Sequence, residues 1–239
     1  MKETRYFYVP QAPDVNELPA DEATHALRVL RLKTGDEIFL ANGKGKFFRA
    51  IVTRADKHCC YDICEEIVQE KTWNSHLHLA IAPTKMMERI EWLAEKATEI
   101  GFDELSFLKC KFSERKSLRV DRIEKIVVSA MKQSHKSYVP IVNDQYSFSD
   151  FIKAHNTGHR YIAHCYEEVP RTDLYKELVS INDDQPVVVM IGPEGDFSID
   201  EVKEAVSQGF MSITLGNSRL RTETAGLYSV MQMQLVKRK

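Results

Sequence analysis

The sequence lacks the features that mark a membrane or secreted protein. None of its 239 residues belong to an apolar run that approaches the roughly 20 residues a membrane-spanning helix requires. The first residues, MKETRYFYV, have no apolar core of the kind found in signal peptides. Hydrophobic residues make up 43% and charged residues 28%, values typical of a soluble globular chain. We therefore expect a cytoplasmic protein with one large domain or two modest ones.

Cysteine is also scarce, and its placement argues against disulfides and zinc. The chain has five cysteines, and an odd number does not close a disulfide framework. Cys59, Cys60 and Cys64 cluster beside His58, but this cluster has no C-x2-C arrangement and no second ligand pair. We expect small buried or strand-borne thiols and no metal.

The charge of the chain is unevenly distributed. The net charge is −2, yet residues 109–136 contain nine Lys or Arg against three Asp or Glu. Such a segment is suited to a polyanion such as RNA, but it is equally typical of a solvated helix face. Charge alone leaves both interpretations open.

Two regimes of hydrophobic pattern predict two domains. Residues 1–72 show short strand-like pieces with turn signals between them and one short helix, DEATHALRVL, which predicts a small β-barrel of a size that often handles RNA. Residues 73–239 alternate strand and helix patterns, which predicts an α/β domain with a mostly parallel sheet covered by helices on both faces. The fully apolar run PVVVMI is expected to be a central strand of that sheet.

Two loops at predicted strand ends carry unusual residues. In IGPEGDFSIDE, Gly192 and Gly195 allow a sharp turn and a close backbone approach, and Ser198 with Glu201 forms a capping box. The loop matches neither the Walker pattern nor G-x-G-x-x-G, and its acidic residues disfavour a phosphate cradle. Because ligands bind at the carboxyl ends of parallel strands, the loop is a candidate binding segment, although a plain strand–helix connection explains its glycines and cap.

The second loop lies in LGNSRLRTETAGL near the C-terminus. Gly216 again permits a close backbone approach, and Arg221 and Glu223 stand at the entrance of the last helix. Taken alone, such a pair is most simply a structural salt bridge. The helix that follows is apolar nearly all round, which predicts burial in the core or in a subunit interface.

Taken together, the two loops resemble those of the SPOUT-class methyltransferases. GPEGDFSIDE and LGNSRLRTETA are similar to the signatures GPEGG-F-S-x-x-E and LG-x-R-I-L-R-x-ETA of the ribosomal RNA small subunit methyltransferase E family. Upstream, the helix with Lys85, Arg89 and Glu91 resembles the family's K-x-x-R-x-E pattern, and FSER matches its basic loop. Asp196 departs from the family by replacing the second glycine of GPEGG. The resemblance covers essentially the whole chain.

The resemblance implies a fold, a methyl donor and a substrate. It implies a trefoil-knotted α/β domain at 73–239, a PUA-like barrel at 1–72, and a homodimer through the knotted domain. It further implies S-adenosylmethionine as donor and N3 of a uracil in 16S rRNA of the 30S subunit as acceptor. We hypothesise that Arg221 stabilises the uracil anion, and that Glu223 takes the proton or, more simply, holds Arg221.

Further residues are assigned on the same basis. The expected donor-binding residues are Ala163, His164, Ile191, Gly192, Glu194, Gly195, Leu215, Gly216, Leu220, Thr224 and Ala225. The expected RNA-binding residues are Arg5, Arg28, Arg31, Lys46, Arg115, Lys116, Arg119 and Arg122. Two alternatives stay open: a SPOUT enzyme that acts on another rRNA or tRNA position, and a non-catalytic RNA-binding assembly factor.

Overall fold

The computed structural model describes residues 5–115 and 117–239. The chain divides into a first unit, Met1–Lys71 with Val128–Val139, and a second unit, Thr72–Val127 with Pro140–Lys239. Of the expected site residues, only Lys116 lies outside the described residues. Among the helices of the described ranges, none is long and apolar enough to cross a membrane.

The first unit is built on a four-stranded mixed sheet in the order β1-β2-β3-β4. Strand β1 is parallel to β2, and the other two pairs are antiparallel. The predicted short helix is confirmed. It is an α-helix, α1, over Ala20–Thr24 and continues as a π-helix over His25–Val29. The elements are β1 (Tyr6–Tyr8), α1 (Ala20–Thr24), β2 (Glu37–Ala41), β3 (Lys46–Ala55) and β4 (Cys59–Val68).

Alternating apolar residues of these strands form the core of the first unit. Phe7, Ile38, Leu40, Phe48 and Tyr61 are almost completely buried, as expected for strands with one face on a core. Burial raises the pKa of the Tyr61 phenol to about 12, and its hydroxyl donates to a backbone carbonyl. The predicted strands of this region are therefore confirmed.

Residues 128–139 belong to this first unit although they follow far along the chain. The ammonium of Lys132 lies 2.5 Å from a carboxylate oxygen of Glu22, and the Gly45 N–H donates to the Ser137 carbonyl at 3.0 Å. Met131 joins a small apolar cluster of this unit. Helix α3 (Val120–Gln133) thus spans the two units, and its uninterrupted apolar stripe gives no sign of this in the sequence.

The second unit contains a fully parallel seven-stranded sheet in the order β7-β6-β5-β10-β8-β11-β9. Strand β10 is the central strand and all its residues are buried, which confirms the prediction for the run PVVVMI. The strands are β5 (Leu77–Ile81), β6 (Glu104–Lys109), β7 (Ile141–Ser147), β8 (His159–Ala163), β9 (Thr172–Asp173), β10 (Val187–Ile191) and β11 (Met211–Thr214).

Helices cover both faces of this sheet. The remaining helices are α2 (Met87–Ile100), α4 (Phe148–Ala154), α5 (Leu174–Ser180), α6 (Ile199–Ser207) and α7 (Thr222–Val236). On one face, α4 and α6 pack over Ala80 and Met190. On the other, α7 lies so close that a Cβ at Gly226 would stand 2.9 Å from Ile81 Cδ1 and 3.2 Å from Leu93 Cδ2 of α2.

The predicted fold class is confirmed by this parallel sheet with helices on both faces, preceded by a small β-rich unit. The threading of the C-terminal segment through a knot stays a prediction. Three elements, β7, α4 and the two-residue strand β9, have no counterpart in the pattern expected from the sequence.

Candidate active site

Three neighbouring strands end at the same edge of the sheet. Ile191 at the end of β10 is in register with Ala163 at the end of β8, and Ile213 of β11 is in register with the same Ala163. Because all three strands are parallel, the loops that follow them leave the sheet side by side. The register therefore brings the segments that begin at His164, Gly192 and Leu215 to one edge.

The expected donor-binding residues differ in exposure at this edge. Ile191, Gly192, His164 and Ala225 are buried; Ala163, Leu215 and Leu220 are half-buried; Glu194, Gly195, Gly216 and Thr224 are exposed. The edge thus combines buried apolar residues with exposed glycines whose backbone groups are accessible to a ligand.

The loop after β10 turns so tightly that Gly192 has no room for a side chain. A Cβ there would lie 2.9 Å from the Phe197 nitrogen and 3.1 Å from the Asp196 carbonyl carbon, and both are backbone atoms that cannot swing away. The turn is closed by the Asp196 N–H, which donates to the Pro193 carbonyl at 2.9 Å. Ser198 then caps the start of helix α6, with both hydrogen bonds of the predicted capping box.

Asp196 ties the loop after β10 to the loop after β8. Its φ is 66°, in the left-handed region that aspartate tolerates better than most residues. One carboxylate oxygen accepts from the Cys165 N–H at 2.8 Å and the other from the Phe197 N–H at 2.7 Å. The Tyr166 hydroxyl adds a bond to the Phe197 carbonyl at 2.8 Å. The residue that departs from the family pattern therefore has a local structural role, which sequence reasoning missed.

Glu194 joins the same loop to the segment after β5. Its carboxylate accepts from the Lys85 N–H at 2.9 Å, and the Lys85 ammonium lies 3.0 Å from the Glu114 carboxylate, which raises the pKa of Lys85. The Arg115 guanidinium donates to the carbonyls of Thr84 and Lys85. These bonds hold three segments at the edge, so the role seen for Arg115 is to order protein backbone.

The loop after β11 carries the two arginines. Gly216 has a φ of 104°, which favours glycine, and its carbonyl accepts from the Thr214 hydroxyl at 3.0 Å. Arg221 is the N-cap residue, directly before α7, and makes no side-chain capping bond. Both Arg219 and Arg221 are exposed, and neither forms an ion pair with a described residue. Their guanidinium groups are therefore available to an anionic ligand.

Glu223 pairs with a different arginine from the one expected. Its Oε1 lies 3.7 Å from Nε of Arg89 on α2, while its Oε2 is buried without a hydrogen-bond partner. The prediction that Glu223 holds Arg221 is wrong in this structure, because Glu223 faces α2 whereas Arg221 stays exposed. The family resemblance included Arg89, but it did not indicate this partner.

His164 follows β8 and is buried. Its Nδ1 accepts from the Tyr166 N–H at 3.3 Å, so the ring proton is on Nε2, which is buried without a partner. Burial lowers the pKa of His164 below its usual value of 6.5, so the ring is neutral at physiological pH. Arg171 donates to the His164 carbonyl at 2.7 Å and helps to fix this strand end.

Comparison with known proteins identifies the family. Residues 71–234 match the RNA methyltransferase domain family, and residues 18–60 match the RNA methyltransferase PUA domain family. The ribosomal RNA small subunit methyltransferase E of Aquifex aeolicus is 30% identical over 208 residues, which cover 83% of this chain and 85% of that protein. The chain belongs to the ribosomal RNA small subunit methyltransferase E family.

Two solved structures show that the whole fold of this methyltransferase family is present. A probable rRNA-methyltransferase from Porphyromonas gingivalis is 40% identical, with a TM-score of 0.90 and 98% of both chains covered. A ribosomal RNA small subunit methyltransferase E from Neisseria gonorrhoeae, bound to S-adenosylmethionine, is 26% identical, with a TM-score of 0.85 and 98% of both chains covered.

One face of the last helix of this family member is exposed. Gly226, Val230 and Met233 are buried against the sheet side, whereas Met231 and Leu235 are 48% and 58% exposed. Tyr228 lies on the same exposed side, at helical spacing from Met231. An apolar stripe of α7 therefore faces outwards in the single chain, as the interface alternative expects, and burial of this stripe in a subunit interface stays a prediction.

The expected RNA-binding residues fall into two groups. Arg28 and Arg31 are exposed and form no ion pair with a described residue. The other described ones are engaged: Arg5 with Asp36, Lys46 with Glu66, Arg119 with Asp121, Arg122 with Glu91, and Arg115 with backbone carbonyls. Among the described residues of this set, Arg28 and Arg31 are therefore the ones whose guanidinium groups have no partner in the protein.

Proposed function

We propose that this chain transfers a methyl group from S-adenosylmethionine to N3 of a uracil in 16S rRNA of the small ribosomal subunit. The observation that carries the proposal is the convergence of three loops at the carboxyl edge of β8, β10 and β11, two of which, those after β8 and β10, are joined through Asp196. The family membership supplies the reaction class, and the relative from Neisseria gonorrhoeae is bound to the same donor. A cytoplasmic location follows from such a substrate.

The residues at the edge fit the donor. Backbone N–H and C=O groups of the turns at Gly192 and Gly216 are the kind of groups that read the edge of a neutral adenine. Two buried polar atoms, Nε2 of His164 and Oε2 of Glu223, lack a partner, and a buried group of this kind is stabilised by a ligand that bonds to it. The donor supplies an electrophilic methyl group when bound, and these residues position it.

Arg221 is proposed as the residue that acts on the base. Uracil N3 becomes a nucleophile only when its proton leaves, and the negative charge then spreads over O2 and O4. An exposed, unpaired guanidinium at the start of α7 stabilises that charge through hydrogen bonds that strengthen as it develops. Arg219 is exposed in the same loop and provides a matched comparison.

Glu223 is proposed to act through Arg89. The Glu223 side chain is only 10% exposed, and its Oε1 lies 3.7 Å from Nε of Arg89. This ion pair fixes the start of α7 against α2. Its Oε2, which is buried without a hydrogen-bond partner, can accept a proton or a hydrogen bond from the substrate.

RNA binding is proposed for the first unit, through Arg28 and Arg31. Unpaired guanidinium groups gain full Coulomb energy from phosphates, whereas a paired one must first give up its carboxylate. Affinity for a 16S rRNA fragment should fall as salt rises, and replacing Arg28 and Arg31 together should reduce the slope of log Kd against log salt by about 2. An Arg119→Ala variant is the control, because its charge is already compensated by Asp121.

We further propose a homodimer in which a second copy covers the exposed stripe of Tyr228, Met231 and Leu235. A charge introduced on this stripe would be buried against an apolar surface of the second copy. Met231→Glu should therefore shift the protein from dimer to monomer. Sedimentation velocity measures the change. A wild-type chain that sediments as a monomer would remove this part of the proposal.

The catalytic proposal is tested by steady-state methylation with 30S subunits that lack the modification. Arg221→Ala should lower turnover by about 100-fold or more, as for the loss of one group that stabilises transition-state charge, with the donor Kd nearly unchanged. Arg219→Ala is expected to be much closer to wild type. Equal turnover of wild type and Arg221→Ala would reject the role of Arg221. Donor binding without any methyl transfer would favour a non-catalytic assembly factor.

A further inference from the structure

Three metal-ligating side chains meet at the opposite edge of the parallel sheet. His78 near the start of β5 is in register with Glu104 at the start of β6, and His155 follows the end of α4. One ligand atom from each of the three lies within 4.8 Å of the others. Because β5 and β6 begin here, this cluster lies at the amino edge of the strands, away from the donor loops.

Hydrogen bonds set which ring nitrogens carry a lone pair. Nδ1 of His155 lies 2.9 Å from the Phe151 carbonyl, which only accepts, so Nδ1 carries the proton and Nε2 holds a lone pair. Nε2 of His78 lies 2.8 Å from the Ser106 hydroxyl. Nδ1 of His78 faces Glu104 Oε2 at 3.8 Å. An ion bound between these two atoms would take the Nδ1 lone pair, with Nε2–H then donating to the Ser106 hydroxyl.

The carboxylate of Glu104 is also oriented by hydrogen bonds from two side chains outside the cluster. Nε2 of His76 lies 2.7 Å from its Oε2, and the Asn143 amide donates to its Oε1 at 2.6 Å. The same amide donates to the Ser106 hydroxyl at 2.9 Å, so Asn143 supports Glu104 directly and His78 through Ser106. Groups that hold metal ligands in place in this way are typical of metal sites in proteins.

We propose that His78, Glu104 and His155 bind a zinc ion. Two imidazoles and one carboxylate are a known zinc ligand set, whereas magnesium and calcium prefer oxygen ligands alone. In a tetrahedral site with bonds of about 2.1 Å, neighbouring ligand atoms lie about 3.4 Å apart, close to the spacing seen here between His78 and Glu104. Water completes the fourth position, since the Glu104 side chain is 19% exposed.

The ion would join β5, β6 and the end of α4, and so stabilise the edge of the sheet that does not bind the donor. The alternative is a metal-free hydrogen-bonded network of the same side chains. A zinc site predicts tight, stoichiometric binding of zinc that depends on His155 and Asn143, whereas the metal-free network predicts no such binding.

Isothermal titration of the untagged, chelator-treated full-length chain with zinc sulfate tests the site. We expect about one ion per chain, a zinc Kd more than about 100-fold weaker in His155→Gln, and one about 10-fold weaker in Asn143→Ala. His159→Gln is the matched control: this histidine pairs with Asp183 outside the cluster and should leave the zinc Kd unchanged.

Two outcomes overturn the site: no stoichiometric zinc binding by the wild type, or the same zinc Kd in wild type, His155→Gln and Asn143→Ala. Circular dichroism establishes whether each variant is folded, and Asn143→Ala decides the question if His155→Gln does not fold. Substitution with Co2+ gives a second readout, since a four-coordinate ion absorbs visible light intensely and the His155→Gln chain should lose that band. Neither readout requires methyltransferase activity.

Discussion

Replacing Gly192 by alanine tests the donor loop most sharply. The added Cβ would stand 2.9 Å from the Phe197 nitrogen and 3.1 Å from the Asp196 carbonyl carbon. Both belong to backbone held by the Asp196 bonds, so the turn must open rather than a side chain rotate. Overpacking of this kind costs about 1–3 kcal/mol.

The overpacking destabilises the loop conformation that binds the donor. Because 1.4 kcal/mol corresponds to about a factor of ten, the Kd for S-adenosylmethionine should rise by roughly 5- to 150-fold. Isothermal titration with the donor measures the change. Gly209→Ala is the control, since Gly209 has a φ of 86° and precedes β11 at the other edge of the sheet. It should lower stability and leave the donor Kd unchanged. A folded Gly192→Ala chain with wild-type donor affinity would refute the steric argument.

Three further outcomes are expected. Asp196→Gly and Asp196→Ala both lose the bond to the Cys165 N–H, but glycine accepts a φ of 66° more readily, so denaturant unfolding should show Asp196→Gly to be more stable by about 1 kcal/mol; equal stabilities would contradict this. Arg89→Ala and Glu223→Gln should each lower turnover, with the double variant no slower than the worse single one, because the two act as a pair; multiplicative losses in a double-mutant cycle would exclude it. Burial lowers the pKa of His164 below 6.5, so its contribution to stability is present above pH 6.5 and is lost as pH falls. His164→Gln should therefore flatten the fall in unfolding free energy below pH 6.5, and an unchanged pH dependence would argue against a neutral buried ring.

Much of the fold follows from hydrophobic pattern. The all-apolar run at Val187–Ile191 predicted a central parallel strand, and Ser198 with Glu201 predicted where α6 begins. Strand β7 escaped prediction because it is an edge strand whose residues are half-buried or exposed, so it shows no alternation. The outward stripe on α7 could not be separated from its inward stripe, since both are apolar.

The site was predictable as a pair of loops but not as a set of contacts. Glycines and acidic residues mark the strand ends, and the resemblance assigned them a ligand. The partner of Glu223 depends on how α2 and α7 pack, and no local pattern encodes that distance. The cluster of His78, Glu104 and His155 is invisible for the same reason. Each residue stands alone in the sequence, the sheet register places His78 beside Glu104, and the packing of α4 brings His155 to them.

The central claim is that this chain methylates uracil N3 in 16S rRNA. Unmodified 30S subunits, incubated with the purified chain and S-adenosylmethionine, should gain one methyl group, and mass-spectrometric mapping of digested 16S rRNA should place it on the N3 of a uracil. The Arg221→Ala chain should leave the same RNA almost unmodified. A methyl group on a ribose hydroxyl, transfer to tRNA instead of 16S rRNA, or no transfer by the wild-type chain would contradict the account.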